Sequence, residues 1–223
     1  MYSHLYLAKR ANNTPRLSAN QGQALPWIAL WNVAISLPLL LPAVLGAAPF
    51  QVQDGVVIWF LLPLTLSPFQ DLVSYLIASS GCGSVFKSPI RVAYWIVGVV
   101  SGVVHVGVAL WAFVAPGLSW SRIYWPNHGA VQHGPTFMTE GATLFMQYDH
   151  AVIYLCVLGL GAYMLGFDDI LAAVSGAERL RAARPLLKLT AMTVIAGPGA
   201  GLSWLLCHRE KQMEAVDAQS KQF

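Results

Sequence analysis

The sequence predicts an all-α, polytopic membrane helical bundle of about five transmembrane helices, and three observations predict it. Hydrophobic residues make up 56% of the chain and charged residues only 10%, with a mean hydropathy of +0.56, whereas a typical soluble domain has about 25% charged residues. Most of the 223 residues fall in runs long enough to cross a hydrocarbon core, which takes roughly 20 apolar residues. These runs are continuous rather than alternating every second residue. Backbone groups in lipid must be satisfied within a helix or a closed barrel, so helices are the expected element.

Residues 1–23 form a polar N-terminal segment, 24–208 the bundle and 209–223 a polar tail. The first run, 25–46, carries Pro38 and Pro42 and is too long for a cleavable signal core, so it is expected to stay in the protein. The others are 55–78, 90–115, 141–165 and 186–207. For five spans, Lys9, Arg10, Arg16, Lys87, Arg91, Arg179, Arg181, Arg184 and Lys188 fall on one side, and Arg122, Arg209, Lys211 and Lys221 on the other. The positive-inside rule then places the N-terminus in the cytoplasm and the C-terminus across the membrane.

The net charge of +3 fits this topology better than a nucleic-acid partner, because no basic cluster exceeds ARLRAAR. Cys82, Cys156 and Cys207 lack metal-ligand spacing and read as small apolar residues, so neither a disulfide framework nor a metal site is implied. The sequon at Asn12 would be cytoplasmic and is followed by Pro15, which argues against glycosylation. Asp54, Asp168, Asp169 and Glu178 read as solvated loop charges.

Within the spans the informative residues are the polar ones. A carboxyl group at membrane depth is costly and marks a functional site by default. Asp149 lies some nine residues inside the fourth run, beside Tyr148 and His150 and near Gln147, and shares a helix face with Phe145, Val152 and Cys156. Glu140 stands at the start of that helix, where the helix dipole also favours an acid, about half a turn round from Asp149 and roughly 13 Å along the axis. In the second run Ser67, Asp71, Ser74 and Tyr75 line one stripe, which is expected to turn away from lipid. The third run carries Gly98, Ser101, Gly102 and His105 on one face, small enough for a neighbouring backbone to approach closely. His105 is then either a proton relay or a packed, hydrogen-bonded residue. GPGAG at 197–201 should break the fifth helix and free carbonyls toward a ligand chamber. Trp59, Phe60, Tyr75, Trp95, Trp111, Phe145, Tyr148 and Tyr154 supply aromatic faces for interface anchoring or for sheltering a cation.

An acid in an apolar pocket stays protonated and can donate to a weakly basic epoxide or alkene. The chain has no DDxxD or NDxxD array, no DxDD, no HExxH, no GxSxG, no phosphate loop and no spaced histidine cluster. No metal and no cofactor are therefore expected.

FMQYD, with Pro135 and Glu140 before it, and the ending GPGAGLSWLLCHRE resemble motifs of fungal membrane-bound terpene cyclases of meroterpenoid clusters, of the ascofuranone and macrophorin type. The resemblance covers the fourth and fifth runs. It implies protonation of a terminal epoxide or alkene on a prenylated aromatic or epoxycyclohexenone, carbocation cyclisation, and loss of a proton. The pyripyropene-type cyclases are similar in size, but their tryptophan–glutamate motif is absent here and seven spans are expected of them. Emopamil-binding-type sterol isomerases pair a histidine with an acid one turn later; here GVVHVGVALW has His105 but Ala109.

The expected function is that of a membrane-bound, metal-independent terpene cyclase, an isomerase or lyase of secondary metabolism. It would reside in the endoplasmic-reticulum membrane, among membrane lipids, and act on a lipophilic prenylated substrate. Asp149 is expected to donate the proton, and Glu140 or Asp71 to orient it or take the final proton. His105, Trp111, Tyr148, Phe145 and Tyr75 are expected to contact the substrate. The alternatives are a sterol-isomerase-like enzyme, or a small transporter or lipid-binding subunit with a polar pathway at Asp149 and His150.

Overall fold

The structure, a computed structural model, describes residues 18–81, 85–114, 119–131, 137–166 and 175–220. Lys9, Arg10, Arg16, the sequon, Cys82, Pro135, Asp168, Asp169 and Lys221 lie outside the described residues. Those described are all-α: nine α-helices and two short 3-10 turns, with no strand among them. The chain divides into two compact units, Met1–Val97 with Glu210–Phe223, and Gly98–Arg209.

In the first unit, helix α1 (Ala19–Ala34) starts on a capping box: the Ser18 hydroxyl accepts from the Gln21 amide, and the Gln21 side chain accepts from the Ser18 amide. The expected first run is split, since α1 ends before Ile35 and α2 (Leu37–Val44) follows. Pro38 has no N–H to continue the ladder. The chain reverses at Gly46, with φ +68°, and α3 (Pro49–Leu61) opens on a proline whose fixed φ suits the first helical position. Helix α2 packs on α3, and a Cβ at Gly55 would run into the Pro38 carbonyl. Asp54 is an exposed residue of helix α3 rather than of a loop. After a 3-10 turn at Leu62–Thr65 comes α4 (Leu66–Ser79). It packs on α1 through Trp31, whose indole N–H donates to Thr65 Oγ1 at 2.9 Å and whose ring stacks on Phe69 at 4.8 Å.

The start of α5 (Pro89–Val114) is tied to the end of α9 (Pro198–Ser220): Ser88 Oγ donates to Glu214 at 2.6 Å, and Arg91 pairs with it at 3.1 Å. The Ser88 hydrogen bond, then Arg91, hold the Glu214 carboxyl below its ordinary 4.5. A lowered carboxylate pKa stabilises the fold above that value and loses its contribution as pH falls through the folded pKa. Glu214→Gln is therefore expected to cost about 1 kcal/mol or less near neutrality. The difference should begin to shrink as pH falls below 4.5 and vanish only below the lowered folded pKa, as read by protease cutting of α9 across a pH series.

In the second unit, α6 (Trp120–Tyr124) and α7 (Phe137–Met164) precede α8 (Gly176–Ala196), which begins on a Ser175/Glu178 capping box. Glu178 is thus a cap rather than a free loop charge. The core is Val157, Leu189 and Leu205, with Met164, Leu186, Leu202 and Trp204 against it. The fifth run does break, at Gly197 with φ +87°, between α8 and α9. The small-residue stripe of α5 seats on this corner. A Cβ at Gly98 would meet Ser203, at Gly102 Ala196 and Ala200, at Gly199 Ser101, and at Gly197 His105. Ser101 and His105 therefore fill the α5 side of the break, where the sequence led us to expect a chamber; a glycine backbone lets side chains come that close. Gly197→Ala is expected to cost about 1–3 kcal/mol from backbone strain alone, because its φ is one that L residues rarely adopt and the methyl would strike the His105 ring. A lower unfolding temperature in detergent would show it.

Among the described residues four helical stretches are long and apolar enough to cross a membrane: Ala19–Pro42, Pro49–Ser79, Pro89–Val114 and Glu140–Met164. The fifth is not one of them, because Gly197 and Pro198 end its helix midway and each part carries charges at its far end. Many large apolar side chains on these stretches are exposed, among them Phe60, Leu64, Val103 and Leu155, as lipid-facing residues are.

Candidate active site

Helix α7 has two contrasting faces. Glu140, Leu144, Gln147, His150, Tyr154, Val157 and Gly161 recur every three or four residues and are buried or half-buried, whereas Phe145, Asp149, Val152 and Cys156 form an exposed face. The five-residue α6 packs on the first of these faces. Its N-cap, Ser119, accepts from the Arg122 amide, and the Gln147 side chain, only 4% exposed, donates to the Arg122 carbonyl at 2.6 Å. The loop is thereby fixed and the Arg122 guanidinium reaches Glu140 at 2.6 Å. The Glu140 side chain is 15% exposed. Both line a cavity of about 510 Å³ whose walls include Ser119, Ser121, Trp125, Asn127, Thr143, Leu144 and Gln147. That is within the usual range for a small-molecule site.

The rest of α6 faces an aromatic cluster. Trp120 lies 5.2 Å from Tyr124, and Tyr124 lies 5.2 Å from His150. His150 lies 4.7 Å from Tyr154 and stacks on His105 at 6.0 Å. The Tyr154 hydroxyl and His105 Nε2 are 3.4 Å apart. Burial pushes the Tyr124 phenol up, so it remains a neutral hydroxyl. A carboxylate held by a guanidinium can exchange a proton with a bound molecule, and a group of electron-rich rings can stabilise a cation.

Of the residues expected from the sequence, Glu140 lines the cavity and His105 joins the ring cluster. Asp149, Phe145 and Trp111 are exposed, the first two on the far face of α7. Tyr148 is exposed but meets His128 Nε2 at 2.6 Å. Asp71 and Tyr75 belong to the first unit, where both are exposed on α4, while Ser74 Oγ donates to the Gln70 carbonyl. Arg122 and Tyr124 join this candidate site without having been singled out in the sequence for it, whereas Gln147 and His150 are marked there only as neighbours of Asp149, His150 also as part of the alternative polar pathway. The three-and-four spacing from Glu140 through Gln147 and His150 to Tyr154 was the available signal.

No curated protein and no solved structure matches this chain. The model of the CtvD domain family matches residues 3–213, and that match points to a fungal biosynthetic role. With nearly its whole length matched, and with an all-α membrane architecture, the chain belongs to the CtvD domain family.

Proposed function

We propose that the protein is a membrane-bound terpene cyclase acting on a lipophilic prenylated, meroterpenoid-type substrate, with the Glu140 cavity as its reaction site. The observation that carries this reading is one carboxyl group, Glu140, on the wall of a 510 Å³ cavity at the end of an apolar span. In its acid form, released from Arg122, the Glu140 carboxyl gives its proton to the terminal epoxide oxygen, the C–O bond opens, and the cation is attacked by the next alkene to close a ring. A neighbouring C–H bond then yields its proton to the same carboxylate, so product and substrate are isomers. Arg122 holds the carboxylate in the interval between the two transfers. Glu140 is preferred to Asp149 because Asp149 lies on the exposed face. The proposed location is the endoplasmic-reticulum membrane. Counted for four spans, every Lys and Arg except Arg122 falls on the side of the N-terminus, which supports a cytoplasmic N-terminus.

The test is product analysis by mass spectrometry of microsomes carrying wild type, Glu140→Gln or Asp149→Asn, supplied with a farnesylated phenol and its terminal epoxide. A cyclic isomer that is lost only in Glu140→Gln supports the assignment. Loss only in Asp149→Asn moves the donor to the exposed face of α7. No conversion by folded wild type overturns the cyclase reading. A sterol-isomerase-like activity is the second reading, favoured by the packed pair His105 and His150, and double-bond migration in an unsaturated sterol would reveal it.

A further inference from the structure

Among the described residues two buried side-chain polar atoms have no hydrogen-bond partner, His150 Nε2 and Thr193 Oγ1. Thr193 sits in the tight α8–α9 corner, where its hydroxyl lies in the space a Cβ on Gly201 would need. No room for a ligand remains there. His150 is different. It stands three residues beyond Gln147 on α7, about 4.5 Å along the axis from a wall residue of the cavity. The Tyr124 ring lies 5.2 Å away, tilted by 44°, and the Tyr154 ring 4.7 Å away, tilted by 57°. A buried polar atom without a partner calls for a functional explanation, and an imidazole nitrogen can donate to a carbonyl or accept from a hydroxyl according to its tautomer.

We infer that His150, flanked by Tyr124 and Tyr154, is a second polar subsite that binds an oxygen of the substrate's aromatic or quinoid head group. The prenyl chain then runs past Gln147 with its reacting end at Glu140. Ten residues of helix separate His150 from Glu140, an axial distance of about 15 Å, which is on the scale of an extended prenyl chain of three units. This subsite rests on the reading of the ligand as a prenylated aromatic. In it His150 is a positioning and specificity residue, and the proton chemistry stays at Glu140.

The test is direct binding to the detergent-solubilised full chain, read by tryptophan fluorescence, with two probes: farnesylated phenol and farnesylated benzene, which lacks the oxygen. Wild type should bind the phenol about tenfold more tightly, the effect of one buried hydrogen bond. His150→Phe keeps a flat ring but no nitrogen, and should bind both probes equally. His150→Gln retains a hydrogen-bonding amide and should recover part of the preference. In turnover, His150→Phe should raise KM for the phenol with little change in kcat. Equal binding of both probes by wild type overturns the subsite, and so does a phenol preference that survives in folded His150→Phe. Should His150→Phe not fold, the wild-type comparison and the Gln variant decide alone. Binding of neither probe by wild type overturns the subsite together with the prenylated-substrate reading.

Discussion

Exchange of Glu140 for glutamine is expected to lower the rate of the proposed cyclisation by about 10²- to 10⁴-fold, the usual contribution of a positioned general acid or base, while leaving the protein folded. The amide keeps the shape of the side chain and can still accept a hydrogen bond from Arg122, but it can neither give a proton to the substrate nor take one from it. Loss of the ion pair itself has a modest effect, since the Arg122 side chain is 47% exposed and stays in contact with water. The distinguishing measurement is therefore kcat against thermal midpoint: a large fall in kcat at nearly constant midpoint. A fall in both together would make Glu140 a structural residue, and an unchanged kcat would remove it from the reaction.

The largest expected effect on stability is at Leu189. Its side chain is fully buried among Val157, Leu205 and their neighbours, and truncation to alanine should cost about 2–5 kcal/mol through lost contacts and the cavity left behind. Gly161 of α7 faces it so closely that a Cβ there would overlap the Leu189 Cδ2 methyl. Gly161→Ala alone should therefore destabilise by about 1–3 kcal/mol through overpacking. The two substitutions touch the same space and should not add. Leu189→Ala opens the volume that the Gly161→Ala methyl needs, so the double variant should be more stable than the sum of the singles implies. Additive losses would show that the two helices separate at this point when either residue changes.

The spans were the legible part of this protein. The third and fourth runs, read from hydropathy as 90–115 and 141–165, end within a residue of Pro89–Val114 and Glu140–Met164. The second begins six residues earlier than its apolar run, because Gln51, Gln53 and Asp54 belong to the helix without being apolar. The first also begins early, since Ser18 and Gln21 form a cap that hydropathy does not register. The fifth run is two helices rather than one: a hydropathy window averages across Gly197, whereas one residue with positive φ ends the helix. The site was less legible. Charge draws attention to Asp149 and Glu140 alike, and only the surroundings separate an acid facing a cavity from one on an exposed face. The Arg122 partnership joins residues 18 apart in sequence through a loop and a helix, and no local pattern announces it. His105 was readable from its glycine-rich stripe, but its neighbours Tyr124 and His150 come from two other helices.

The hydrogen bond from Gln147 goes to the main-chain carbonyl of Arg122 and not to its side chain. The position of the loop and the charge opposite Glu140 are therefore under separate control. A single codon change at 122 can alter what stands against the acid while Ser119 and Gln147 keep the wall in place. Divergence in substrate chemistry within such a scaffold then needs no rebuilding of the bundle, and position 122 is where variation between members of the family would be most informative to compare.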